Sequence, residues 1–199
     1  MTAPTPTDGP AHRDAVRTLT AYAAADPHQA RLRDEFLAHL AAHPDATRRS
    51  GPPAHLTVGV LVLDPAGVQV LLTHHRKADA WYQFGGHLEP TDATVRAAAA
   101  RELAEESGLP GLELTALPVH LDRHALPGAF GRCREHLDVR YAAVAPAHAV
   151  PAVSPESHDV RWFPVDDLPP GAAADLGGLI AAARRALLGE GLTAPGARR

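Results

Sequence analysis

The chain carries a single cysteine, Cys133, and a single lysine, Lys77, among its 199 residues. One thiol excludes an internal disulfide framework and any zinc site built from several cysteines, and a cytoplasmic location is the default expectation. Long apolar runs are missing too. Stretches such as Val58–Leu63 and Ala97–Ala100 fall far short of the roughly 18 residues that a membrane-spanning helix needs. There is no basic excess: a net charge of −4 argues against non-specific nucleic-acid binding, which draws on surplus Lys and Arg. Met1–Pro10 has neither a basic region nor an apolar block, so no secretory signal is expected there. The rarity of lysine beside abundant arginine and alanine reads as genome composition rather than function. What the chain does have is 45% hydrophobic residues, enough for a core, which excludes wholesale disorder. Its length fits one ordinary domain with an extension, or two small domains.

No internal repeat is visible. Residues 11–45 read as two helices, the second starting at Asp26-Pro27, with Asp as cap and Pro at the first helical position. Leu32, Phe36 and Leu40 then recur every four residues with Leu37 beside them, giving one apolar stripe. This pair is too small to bury a core of its own and is expected to pack on the main domain. Residues 47–55, with Gly51-Pro52-Pro53, have linker composition. The expected division is therefore 1–54 for tail, helical extension and linker, 55–190 for the main domain, and 191–199 for a C-terminal tail.

In the main domain, residues 57–63 read as a buried strand, 64–67 as a turn and 68–73 as the return strand of a hairpin. Residues 74–82 read as a polar loop. Residues 93–107 read as a helix with Asp92 as its cap and Gly108 and Pro110 as stop signals. Residues 112–120, 137–145 and 160–163 are expected strands, with a long loop over 122–135. Residues 175–188 form an amphipathic helix. This order predicts an α/β fold: a mixed sheet with helices on its faces.

Chemistry concentrates at Arg101-Glu102-Leu103-Ala104-Glu105-Glu106-Ser107-Gly108-Leu109. Glu102, Glu105 and Glu106 stand at i, i+3 and i+4, so their carboxylates share one helix face. Like charges at these spacings cost roughly 0.2–0.5 kcal/mol per pair. They also occupy the last helical turn, where the helix dipole disfavours negative charge by roughly 0.3–1 kcal/mol each. A helix built for stability would carry Lys or Arg there. A solvated acidic helix end is one reading of the pattern; a hard divalent cation held by carboxylate oxygens is the other. Gly85-Gly86, just upstream, allows close backbone approach to a ligand. Arg101, next to Glu102 and four residues before Glu105, can pair with a carboxylate and fix its rotamer.

Gly86-x5-Asp92-x8-Arg101-Glu102-Leu103-x-Glu105-Glu106-x-Gly108-Leu109 resembles the Nudix box, Gly-x5-Glu-x7-Arg-Glu-U-x-Glu-Glu-x-Gly-U, where U is a bulky aliphatic residue. The last nine positions match wherever the pattern is specified. In the first half Asp92 stands in place of Glu, and one additional residue precedes Arg101. Gly-Gly-His-Leu-Glu-Pro-Thr-Asp is similar to a variant reading Gly-Gly-His-x-Glu-Pro-Gly-Asp.

The resemblance implies an α/β/α sandwich and Mg²⁺- or Mn²⁺-dependent hydrolysis of a diphosphate joining a nucleoside to a further group. It makes Glu102, Glu105 and Glu106 candidate metal ligands, with the Gly86 carbonyl as an additional one. Arg101 would orient the carboxylates, and the general base stays divided between Glu102 and Glu105. Glu156, ahead of Asp159-Val160-Arg161-Trp162-Phe163-Pro164, is a further metal candidate, against an ordinary loop glutamate. Glu89 could reach a metal or Arg101, or cap a helix. A small-molecule nucleoside diphosphate derivative is the implied partner, and a homodimer stays open because many relatives dimerise. The alternative is a catalytically inactive nucleotide-sensing module of the same fold.

For phosphate contacts, Arg76 and His87 are favoured because they bracket the Gly-Gly turn. Lys77, Arg123, His124, Arg134, His136 and Arg140 complete the pool from which phosphate recognition would draw a few, each taken singly reading as a solvated surface residue. Trp81 and Tyr82 could stack on a base or line an apolar wall. The chain has 13 histidines, but their spacing is not read as a zinc site. Cys133, between Arg132 and Arg134, reads as a passive thiol.

Overall fold

The structure is a computed structural model that describes residues 9–126, 132–146 and 149–188. The expected loose tail over 1–10 and the C-terminal tail lie mostly or wholly outside these residues. Two helices come first, α1 (Pro10–Ala21) and α2 (Pro27–Ala42). The Asp26 carboxylate accepts the Gln29 N–H at 2.9 Å and caps α2, with Pro27 at its first turn. The apolar stripe of α2 is inside: Leu32, Phe36 and Leu40 are buried.

The strands are β1 (Ala54–Leu63), β2 (Gln69–His75), β3 (Ala80–Tyr82) and β4 (Phe84–His87). After α3 (Val95–Ser107) come β5 (His120–Ala125), β6 (Glu135–Val144) and β7 (Ser157–Pro164), and α4 (Leu176–Leu188) closes the described chain. The strands form one sheet in the order β3-β2-β1-β6-β5, with β4 on β1 and β7 on β2. In β1 every residue from His55 to Leu63 is buried. Both faces of the strand are therefore covered, and it reads as an apolar run rather than an alternation.

Three expectations need correction. The stretch 74–82 is not all loop: β2 runs on to His75 and β3 pairs back on it, Thr73 with Tyr82 and His75 with Ala80. The stretch 112–120 is not a strand, contributing one isolated bridge from Leu114 to Ala143, and the strand begins instead at His120, running into the expected loop. Helix α3 begins at Val95 rather than residue 93, with Thr94 in the capping position; Asp92 lies outside it. Its carboxylate accepts the Glu89 N–H at 2.8 Å, while Thr94 Oγ1 accepts the Ala97 N–H at 3.0 Å.

The chain folds as two compact units. The first comprises residues 1–58, 86–98 and 121–139. Here the helical extension is tied to the segments around it. Gln29 Nε2 donates to the Leu121 carbonyl at 3.0 Å and Gln29 Oε1 accepts the Leu121 N–H at 2.8 Å. Asp14 accepts the Val95 N–H at 2.8 Å. The second unit comprises 59–85, 99–120 and 140–199. Its core joins Leu61, Leu63, Val70, Leu72 and Ala142 of the strands to Leu176, Leu179, Ile180 and Ala183 of α4, so the apolar stripe of α4 is what covers the sheet there. β7 pairs antiparallel with the whole of β2, from Gln69 opposite Pro164 to His75 opposite Ser157. Among the described residues no helix is long and apolar enough to cross a membrane.

Candidate active site

The acidic cluster belongs to the second unit. Leu103, between Glu102 and the later glutamates, is buried at 1% exposure. The helix ends at Gly108, whose φ of +66° suits glycine; a Cβ there would come within 2.6 Å of the Ala152 Cβ. Glu106, in the last turn, is only 6% exposed, and its Oε2 accepts the Gly85 backbone N–H at 2.8 Å. Burial pushes its pKa up to about 8. The Gly85 hydrogen bond opposes the rise, while the charges of Glu102, Glu156 and Glu105 add to it. Burial likewise raises the Glu102 pKa, against the pull of Arg101 and with a push from Glu105 and Glu156.

Arg101 Nη1 donates to Glu102 Oε1 and to Glu105 Oε2, both at 3.0 Å. One guanidinium thereby holds two carboxylates on the same helix face. Glu105 is the more exposed of the pair. Glu156 precedes β7 and is exposed, yet its charge acts on both Glu102 and Glu106. Four carboxylates thus influence one another, one of them almost wholly removed from water. Such a set of hard oxygen donors, with excess negative charge and a desolvated member, fits Mg²⁺ or Mn²⁺.

Arg76 stands where the Glu156 loop meets β2. Its Nη2 donates to the Ser157 carbonyl at 2.8 Å and its Nε to the Pro155 carbonyl at 3.2 Å. Its backbone N–H donates to the Glu156 carbonyl at 2.9 Å. Arg76 therefore clamps the residues on either side of Glu156, a role that sequence reading did not anticipate. Trp81 stacks on His74 with ring centroids 4.9 Å apart and meets Phe163 edge-on at 4.8 Å.

Gly86 and His87 are the last two residues of β4 and belong to the first unit. The His87 ring is half-buried, and its Nε2 lies 3.1 Å from His55 Nε2. Burial lowers its pKa to about 3, and the neighbouring His136, Arg49 and His55 push the same way. His136 has its pKa lowered to about 4, again chiefly by burial. Asp14, Arg76 as a clamp, and the histidine group around His87 all depend on long-range contacts, for which no local sequence signal exists.

Comparison with known proteins bears on the whole domain. The NUDIX domain model matches residues 53–183, about two thirds of the chain. No curated protein matches. Among solved structures, the MutT NUDIX hydrolase from Burkholderia pseudomallei is 23% identical, with a TM-score of 0.53, covering 65% of this chain and 97% of its own. The MutT protein from Methanosarcina mazei Go1 is 17% identical, with a TM-score of 0.55, over 67% and 95% of the two chains. The E. coli dihydroneopterin triphosphate pyrophosphohydrolase is 15% identical, with a TM-score of 0.54, over 67% and 94%. These likenesses carry the fold, the domain match carries the descent, and the chain belongs to the Nudix family.

Proposed function

We propose that the chain is a divalent-metal-dependent hydrolase that cleaves the diphosphate linkage between a nucleoside and a further group. Membership of the Nudix family, with the resemblance of Gly86–Leu109 to the Nudix box, implies metal-dependent pyrophosphohydrolysis, and the box glutamates Glu102, Glu105 and Glu106 are all present. The observation that carries the reading is Glu106: a nearly buried carboxylate, hydrogen-bonded to the Gly85 N–H and crowded by three others. A fold gains nothing in stability from that arrangement.

In this reading Glu102, Glu105, Glu106 and Glu156 hold Mg²⁺ or Mn²⁺. When bound, the cation neutralises the diphosphate, polarises the attacked phosphorus and lowers the pKa of the attacking water. Glu102 or Glu105 takes the proton from that water, and Arg101 keeps both in position. Arg76 is a cationic group of this unit held at the Glu156 loop, and it retains donor capacity for a phosphate oxygen.

The test is a panel of nucleoside triphosphates, nucleotide sugars, dinucleoside polyphosphates, ADP-ribose and CDP-alcohols, with phosphate or nucleotide release followed with Mg²⁺ and in excess chelator. Turnover of at least one member is expected, lost in chelator and reduced about a hundredfold or more by Glu106→Gln. Full activity in chelator, or near-wild-type turnover by Glu106→Gln, would overturn the assignment. Binding without turnover across the panel would favour the sensing module instead.

A further inference from the structure

In the first unit four metal-ligating side chains converge. His55 is the second residue of β1, His87 closes β4, Cys133 stands two residues before β6 and His136 is the second residue of that strand. One ligand atom from each lies within 4.8 Å of all the others. His87 Nε2 is 3.1 Å from His55 Nε2 and 3.9 Å from Cys133 Sγ. Tetrahedral zinc, with Zn–N near 2.05 Å and Zn–S near 2.3 Å, sets N···N at about 3.3 Å and N···S at about 3.6 Å. Both separations are therefore within roughly half an ångström of those a zinc ion would impose.

The tautomers and burial agree. His55 Nδ1 lies 3.0 Å from the Pro52 carbonyl. Only an N–H satisfies a carbonyl, so Nδ1 holds the proton and Nε2 keeps its lone pair for the cluster. A second nitrogen anchored to a backbone carbonyl is the usual way a ligating imidazole is oriented. Among the described residues His136 Nε2, shielded from solvent, has no hydrogen-bond partner, a state folded proteins rarely leave uncompensated. His55 and Cys133 are 1% and 5% exposed. The three rings stand 5.1 to 5.3 Å apart, centroid to centroid. As apolar packing this is a poor choice of residues; as a ligand set of borderline and soft donors it suits zinc. Arg49 and Asp138, the charged groups acting on both His87 and His136, oppose each other.

We infer that His55, His87, Cys133 and His136 form a closed, four-coordinate zinc site that fastens β1, β4 and the start of β6 together. Four protein ligands leave no open position, so the site is structural, and His87 serves the metal rather than a phosphate. The inference stands apart from the hydrolase reading, since none of the four residues is a carboxylate of the acidic cluster.

The full chain, stripped with chelator, is titrated with Co²⁺ in excess Mg²⁺. Cys133 is the only cysteine, so a thiolate-to-cobalt charge-transfer band reports this site whatever the carboxylates bind. That band, with intense tetrahedral d–d absorption, is expected to saturate at one equivalent and to be displaced by Zn²⁺. Cys133→Ser should abolish it. His136→Ala should weaken Zn²⁺ binding about a hundredfold or more, since even outer-shell changes cost roughly 10–100-fold. A wild-type chain with no charge-transfer band, or unchanged affinity in a folded His136→Ala, would overturn the site. The wild-type spectrum decides by itself, so a variant that fails to fold leaves the proposal exposed. Loss of Mg²⁺-dependent turnover would not change this spectrum, and loss of the band would not remove the acidic cluster.

Discussion

Asp14 Oδ2 accepts the backbone N–H of Val95 at 2.8 Å, so the first helix of the extension caps the helix that bears the glutamate cluster. The opening N–H groups of a helix have no partner within it. Val95 is fully buried, and water cannot substitute. Asp14→Ala should therefore cost about 1–3 kcal/mol, because a buried donor is left unsatisfied. Asp14→Asn keeps an acceptor and should recover most of that loss. The measurement is urea unfolding followed by circular dichroism, and equal midpoints for wild type and Asp14→Ala would show the bond to be dispensable.

Removing residues 1–50 takes away this cap together with Gln29, whose side chain pairs with both backbone groups of Leu121 as a neighbouring strand would. It also uncovers apolar surface that Leu19, Phe36 and Leu40 now bury. The truncated chain should melt at a lower temperature and tend to associate, while the acidic cluster keeps its own contacts. Calorimetry and light scattering check this, and a monomeric truncation as stable as the full chain would refute it.

Sequence reading reached the parts of the molecule whose cause is local. Asp26-Pro27 starts α2 because the cap and the fixed φ act within one turn. The i, i+3, i+4 glutamates and Arg101 meet because helix geometry alone brings them together. Strand β3 escaped because Ala80–Tyr82 is short and owes its conformation to pairing with β2. The expected strand over 112–120 failed for the converse reason, since its contacts with β6, at Leu114, Thr115 and Val119, are scattered and do not build a continuous ladder. Asp92 looked like the cap of α3, but Thr94 and Asp14 supply that function, the latter from 81 residues away. The His55, His87, Cys133 and His136 group could not be seen in any spacing, because sheet topology gathers it from separate strands.

Stability in chelator should depend on pH with two opposed slopes. The folded chain keeps a proton on Glu106 up to about pH 8, whereas the unfolded carboxyl releases it near 4.5. Across that window the native state binds more protons, so stability falls as pH rises, and Glu102 acts in the same direction. His87 and His136 behave oppositely. Unfolded rings take up protons near 6.5, folded ones only at about 3 and about 4, so their contribution is complete above 6.5 and is lost as pH falls. Above 6.5 the carboxylates alone set the trend. Melting temperature should therefore decline from about pH 6.5 to about pH 8, and Glu106→Gln should flatten that decline. Mg²⁺ should stabilise the chain more at about pH 8 than at about pH 6, because it binds the charged form. A flat alkaline limb in the wild-type chain would show that Glu106 titrates normally.

Arg76 and Glu156 test whether the clamp serves the chemistry. The guanidinium fastens the carbonyls of Pro155 and Ser157, and the carboxylate between them is the one that acts on Glu102 and Glu106 from outside α3. If Arg76 works through Glu156, each single substitution should lower kcat on an active substrate by about tenfold, roughly 1.4 kcal/mol of barrier. The double variant Arg76→Ala, Glu156→Ala should then be little worse than either alone, which a double-mutant cycle reads as coupling. If Arg76 instead contacts phosphate directly, its loss should raise KM, and the two effects should add. Stability should change little in either case, since both side chains are exposed. Arg76→Lys separates the two roles further. Lysine keeps the charge for a phosphate but lacks the planar fork that reaches two carbonyls at once, so it should rescue direct phosphate binding and fail to rescue the clamp.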